Sequence, residues 1–179
     1  MNIGLKRGTV ELRNYDPAWA SIAQEVIEQL TSILGSLAIE IQHIGSTAIK
    51  GIKAKPIIDI AIVVDDLELD ENIVAGLNKA GYFKSKRHRI AGDVLYCDGD
   101  EFAETRSFHL HIVKCESKEW KDYICFKDYL NKNEEAAKEY EKVKIELANL
   151  NLDNRTNYTE GKNKIIAKLL EEAKKTSDL

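Results

Sequence analysis

Between residues 44 and 59 the chain reads Ile-Gly-Ser-Thr-Ala-Ile-Lys-Gly-Ile-Lys-Ala-Lys-Pro-Ile-Ile-Asp, and no other stretch limits its fold as tightly. Residues 38–44 read as a strand that runs into Gly45-Ser46-Thr47, and a second strand follows over 57–64. Pro56 precedes that strand, where a missing amide is tolerated. Twelve residues separate Ser46 from Asp59, which stands inside the run Ile-Ile-Asp-Ile-Ala-Ile-Val-Val. Short side chains and free amides at a strand-to-helix turn make an anion nest, and the helix dipole adds to it. An acid within an Ile/Val strand is costly unless it is paired or binds metal. The pattern therefore predicts a phosphate on Gly45, Ser46 and Thr47 and a metal ion on Asp59. Two plainer readings stand beside it. The turn can be a tight bend that uses Gly for its backbone freedom and Ser-Thr as a cap. Asp59 can be the partner of a core cation, with Lys55 the nearest in sequence; Lys55 can equally contact a phosphate.

His109-Leu110-His111 lies in a second strand candidate, 107–113. Alternation places both imidazoles on one face, with Phe108, Leu110 and Ile112 on the other. With His43 and Asp59 on neighbouring strands, a histidine-and-carboxylate metal site is one reading, with the register that would turn both imidazoles toward Asp59 or away from it left open. A half-exposed strand with two histidines on its polar face is the plain alternative. Lys86-Arg87-His88-Arg89, with Arg106 beyond, is the compact basic cluster, read either as a phosphate contact or as a solvated loop.

The rest of the chain is ordinary globular sequence. Asp16-Pro17 opens a helix whose apolar residues, from Trp19 to Leu34, recur at three- and four-residue spacing up to Gly35. Residues 70–80 read as a short helix, and 94–97 as a strand before the turn Asp98-Gly99-Asp100. Beyond 117 the composition turns helical, with helices expected over 117–131, 133–150 and 157–176. Glu134, Glu135, Lys138, Glu139, Glu141, Lys142 and Lys144 read as an exposed helix face. Trp19 and Trp120 read as packing residues. The expected fold is α/β (α+β): a small mixed sheet flanked by helices, with a C-terminal helical segment. One domain over 1–179 is expected, with a core at about 8–115 and a helical part at about 116–176.

Net charge is −4 and pI about 5.7, which argues against general attraction to nucleic acid or an acidic membrane. No apolar run approaches the roughly 18 residues of a membrane span. The first residues lack a secretory pattern, and three widely spaced cysteines suggest reduced thiols. A cytoplasmic protein is the resulting expectation.

A Gly-Ser turn followed at this distance by a strand-borne acid resembles the nucleotidyltransferase superfamily. There the turn holds a triphosphate, and a second acid stands two residues after the first; here that position is Ala61. Over roughly residues 8 to 173 the chain is similar to the GrpB family. The segments that carry this likeness are Tyr15-Asp-Pro-Ala-Trp19, His43-Ile-Gly-Ser-Thr-Ala-Ile49, Ala54-Lys-Pro-Ile-Ile-Asp-Ile60, Phe108-His-Leu-His-Ile112, Phe126-Lys-Asp-Tyr-Leu130, Tyr140-Glu-Lys-Val-Lys144 and Tyr158 through Lys162. Gln42, Lys50 and Lys127 depart from it, where relatives resemble Glu, Pro and Arg. The resemblance implies a nucleotidyltransferase-type sheet but brings no established reaction.

Three functions are compatible with these residues. The first is binding of a nucleotide or other phosphate-bearing small molecule, extending to nucleotidyl transfer with Mg2+ or Mn2+ and no organic cofactor. Asp59 and His111 would then be the metal-binding and catalytic pair. Gly45, Ser46, Thr47, Lys55, His109 and Lys162 would contact the ligand. The second is a catalytically silent binding or regulatory module, favoured by Ala61. The third is a hydrolase with a His/Asp metal centre.

Overall fold

The computed structural model describes residues 3–86, 91–100, 102–152 and 154–177. Arg87, His88 and Arg89 of the basic cluster lie outside them. In chain order the elements are β1 (Leu5–Lys6), α1 (Ala18–Leu34), β2 (Glu40–Ile44), β3 (Ile58–Val64), α2 (Glu71–Lys79), β4 (Tyr82–Lys84), β5 (Asp93–Asp98), β6 (Thr105–Arg106), β7 (Phe108–Lys114), α3 (Lys118–Lys132), α4 (Glu134–Leu150) and α5 (Arg155–Ser177). Five strands form one mixed sheet in the order β2-β3-β7-β5-β4, in which only β3 and β7 run parallel. The expected architecture is present: a small mixed sheet, flanking helices and a C-terminal helical segment.

Local chemistry explains the boundaries. Asp16 accepts from the Ala18 amide and so caps α1, while Asp70 caps α2 by accepting from Asn72 and Ile73. Ser117 and Asn133 do the same for α3 and α4. The expected turn at Asp98-Gly99-Asp100 is instead the start of a longer connection. The Asp98 carboxylate accepts from the Ser107 and Phe108 amides. Local turn propensity loses here to a tertiary tie, and the intervening β6 pairs with β1 at the other end of the chain.

Period-2 alternation divides the sheet. On one face Ile58, Ile60, Ile62, Leu110 and Ile112 are buried against Trp19, Ala23, Val26 and Leu30 of α1 and Leu77 of α2. Burying such side chains contributes about 1.5–3 kcal/mol each, so this face holds the domain together. Asp59, Ala61, His109 and His111 point to the other face, toward the C-terminal helices. Those helices have their own core, in which Leu130, Ala136, Ala137, Tyr140, Ile165 and Leu169 pack on Ile49 and Ile52 of the loop after the Gly-Ser turn. The loop thereby fixes the helices relative to Asp59. Among the described residues, no helix is long and apolar enough to cross a membrane.

Candidate functional site

Register brings the polar groups together. In the parallel β3–β7 ladder Asp59 stands opposite His109, and Ala61 opposite His111. Asp59 Oδ1 is 2.9 Å from His109 Nδ1 and 3.8 Å from His111 Nε2, so both histidines face the acid. Arg155 Nη2 lies 3.4 Å from His109 Nε2. A guanidinium only donates, so Nε2 accepts there and His109 donates its Nδ1 proton to Asp59. His111 is gripped from the far side by Asp93, whose Oδ2 is 2.8 Å from its Nδ1. The Tyr123 hydroxyl donates to that same Oδ2 at 2.7 Å.

Environment sets the charges. Burial pushes the Asp59 carboxyl up, but hydrogen bonds from His109 and His111 outweigh it and hold the group well below the usual carboxylate range. Burial pushes His111 down, yet its bonds to Asp59 and Asp93 prevail and raise it to about 9. His109 goes the other way. Burial lowers it, and one carboxylate does not offset that beside the Arg155 guanidinium. The two neighbours therefore differ in charge at neutral pH because one touches two carboxylates and the other touches one.

The Gly-Ser-Thr segment is a single 3-10 turn over Ser46–Ala48, not the start of the expected helix, so no extended dipole points into it. Gly45 has φ 71°, and a Cβ there would come 2.4 Å from Asp59 Oδ2. Only glycine lets the turn lie on the acid. Thr47 is 2% exposed, and its hydroxyl is held between His43 Nε2 and the Ile57 carbonyl. It clasps the turn to the strand and is not presented to a ligand. His43, lowered to about 4 by burial, belongs to that clasp and not to the Asp59 cluster. Ser46 Oγ is 3.1 Å from the Tyr140 hydroxyl of α4.

Tyr140 leads to a group of lysines. Lys144 Nζ stands 4.5 Å from the Tyr140 ring centre, and Lys55 and Lys162 both stand 5.1 Å from that of Tyr158. Among the described residues none of the three has a carboxylate within 4 Å, so Lys55 is not the partner of Asp59. Burial, with Lys162 and Arg155 close by, lowers Lys55 to about 7. Burial beside Lys162 does the same to Lys144. Lys144 also corrects the expectation of an exposed helix face, since it is 1% exposed. Its Nζ donates to the Lys53 carbonyl. Arg106, grouped in sequence with the basic cluster, is likewise buried and donates to the Thr105 and Asp100 carbonyls.

Asp59, His109 and His111 each offer a ligand atom, all within 4.8 Å of one another. Mixed carboxylate and imidazole donors suit Mn2+ or Zn2+ better than Mg2+, which prefers oxygen. The set fits a divalent ion, on condition that the Asp59–His109 hydrogen bond opens and His111 gives up its Nε2 proton.

Sequence reading missed Asp93, Tyr123, Lys144 and Arg155. Asp93 heads a strand beside Gly92 and has no spacing relation to Asp59. Arg155 precedes the expected start of the last helix, which begins two residues earlier than its periodicity indicates. Two departures from the family pattern prove to be one contact: Lys127 Nζ donates to Gln42 Oε1 at 2.6 Å.

The whole arrangement has relatives. The GrpB protein family model matches residues 9–172. A glutamate-rich protein GrpB of Alkalihalophilus pseudofirmus is 34% identical over 95% of this chain and 99% of its own length. A conserved protein GrpB from Enterococcus faecalis has a crystal structure that covers 94% of this chain and all of that one, with TM-score 0.85 and 28% identity. A dephospho-CoA kinase of Mycolicibacterium paratuberculosis is 34% identical over 56% of this chain, a match confined to 25% of that protein. With its turn, its acid and its paired histidines set in a matching fold, the chain belongs to the GrpB family.

Proposed function

We propose that the chain binds a nucleotide or another polyphosphate-bearing small molecule between the polar face of the sheet and the C-terminal helices. One observation carries this reading. Lys55, Lys144 and Lys162 converge beside the Gly45-Ser46 turn, and among the described residues none of them has a carboxylate within 4 Å. Clustered buried cations repel one another and lose hydration, and a polyanion removes both penalties. Ser46 and the two tyrosine hydroxyls add neutral donors. Gly45 lets the ligand approach the backbone.

Asp59 and His111 would hold a divalent ion at the inner end of this ligand, with His109 beside them. When bound, the ion would neutralise phosphate charge and polarise a phosphorus–oxygen bond. The chain's own part is to orient. Asp93 and Tyr123 fix the His111 ring, Arg155 fixes His109, and the lysines place the phosphates. Nucleotidyl transfer is the finer form of this proposal.

A silent binding module is the second form, and a specific observation favours it. Ala61 faces the site fully buried, and no second acid lies two residues beyond Asp59. The two forms separate in one experiment, thermal stabilisation by nucleoside triphosphates with and without Mn2+ or Mg2+, on wild type and Asp59→Asn. Transfer requires a metal-dependent shift that the variant loses. A silent module gives a shift indifferent to both. No shift with any triphosphate would sink the proposal in either form.

A further inference from the structure

The lysines are one end of a longer track. On the other side of His109 lies a cleft of about 1620 Å³, lined by Arg7, Arg106, His109 and Arg155 and floored by Phe83 and Leu95. None of Gly45, Ser46, Lys55, Lys144 or Lys162 lines it. It is therefore a space apart from the lysine cluster, with His109 and Arg155 in its wall. Glu68, Asp100 and Glu160 also line it, but neither Arg106 nor Arg155 has a carboxylate within 4 Å among the described residues. Arg106 is 7% exposed, its guanidinium anchored on backbone carbonyls and packed against the Gly99 turn. Arg155 approaches His109 Nε2 at 3.4 Å, a long contact that an anion readily replaces.

Two guanidiniums that line a partly apolar cleft, with no carboxylate within 4 Å among the described residues, describe a ligand. We propose that this cleft seats a second small molecule, distinct from the polyphosphate, which carries a phosphate monoester on an apolar body. Arg106 and Arg155 hold the phosphate, matching planar forks to its oxygens. Phe83 and Leu95 take the body, and the ligand's near end lies against His109. Its role as partner substrate to the polyphosphate rests on the lysine-side proposal; the cleft's preference for a phosphate monoester does not.

Isothermal titration of the full chain tests both, with phenyl phosphate as probe for the cleft and inorganic tripolyphosphate for the lysines. Phenyl phosphate should still bind protein saturated with tripolyphosphate. Arg155→Gln should weaken phenyl phosphate by about tenfold or more, the loss of one charge-assisted contact. Lys162→Gln should weaken tripolyphosphate, with phenyl phosphate changed far less. Thr159→Glu, at an exposed cleft-lining position, adds a like charge and should also weaken phenyl phosphate alone; it serves if Arg155→Gln does not fold. Displacement of phenyl phosphate by tripolyphosphate would overturn the proposal, as would equal losses for both probes in Thr159→Glu. So would binding of phenol as tight as that of phenyl phosphate. If tripolyphosphate fails to bind while phenyl phosphate binds through Arg155, the lysine-side proposal falls and the cleft assignment stands.

Discussion

The two faces of one sheet are built from the same strands and obey opposite rules. Along β3, Ile58, Ile60, Ile62 and Val64 enter a dry core, while Asp59 between them enters a network of histidines and a second carboxylate. Along β7 the same alternation separates Leu110 and Ile112 from His109 and His111. Stability and chemistry thus sit one residue apart. A side chain on the first face is fixed by shape, and one on the second by charge, because the first has only dispersion and burial to satisfy.

The largest effect that would sharpen this contrast is Leu110→Ala. It should cost about 2–5 kcal/mol in urea unfolding while leaving tripolyphosphate affinity of the folded protein unchanged. A large affinity change would mean that the faces are not separable.

Gly45→Ala comes next. Its positive φ costs a side chain about 1–2 kcal/mol, and the new Cβ collides with Asp59. Unlike Leu110→Ala, it should also abolish metal-dependent stabilisation by nucleotide.

Lys144→Met inverts the expected sign. A lysine depressed to about 7 leaves the unfolded chain with more protons between pH 7 and its ordinary pKa. Stability from this group therefore rises with pH across that window. Replacing it with an apolar side chain should stabilise the ligand-free protein below pH 7, on the order of 1–3 kcal/mol, and weaken tripolyphosphate binding. In wild type, polyanion binding near pH 8 should take up protons onto Lys55 and Lys144. Calorimetry in buffers of different ionisation enthalpy reads that uptake, and a zero slope would contradict it.

Asp93→Asn gives the smallest effect. His111, raised to about 9, contributes stability that is fully present below the ordinary histidine pKa and lost as pH rises through about 9. Removing one of its two carboxylates should move its NMR titration midpoint down toward the ordinary value and narrow that window. An unmoved midpoint would show that Asp59 alone sets the charge.

These residues also show how far a sequence reading reaches. Although the register that sets both histidines on Asp59's face was left open, the sheet, the helix order and the shared face of His109 and His111 were legible because alternation and helical spacing are local signals. So was the closeness of the Gly-Ser turn to Asp59, since twelve residues allow little else between adjacent strands. The burial of Thr47 was not legible, because a hydroxyl in a turn looks the same whether it meets water or a carbonyl. Lys144 was misread for a related reason: α4 alternates charges on several sides, and only packing on α5 and the 53–55 segment shows which lysine is enclosed.

By itself the sequence determined a mixed sheet with two histidines on one face of a strand and, in another strand, an acid that follows a glycine turn. Period 2 and chain connectivity leave almost no freedom there. Tertiary structure alone decided what those groups touch. Asp93 reaches His111 from another strand, Arg155 reaches His109 from the last helix, and three lysines from two helices and a loop gather around two tyrosines. Such contacts join residues far apart in the chain, and their charge states follow from burial and neighbours that no local pattern encodes.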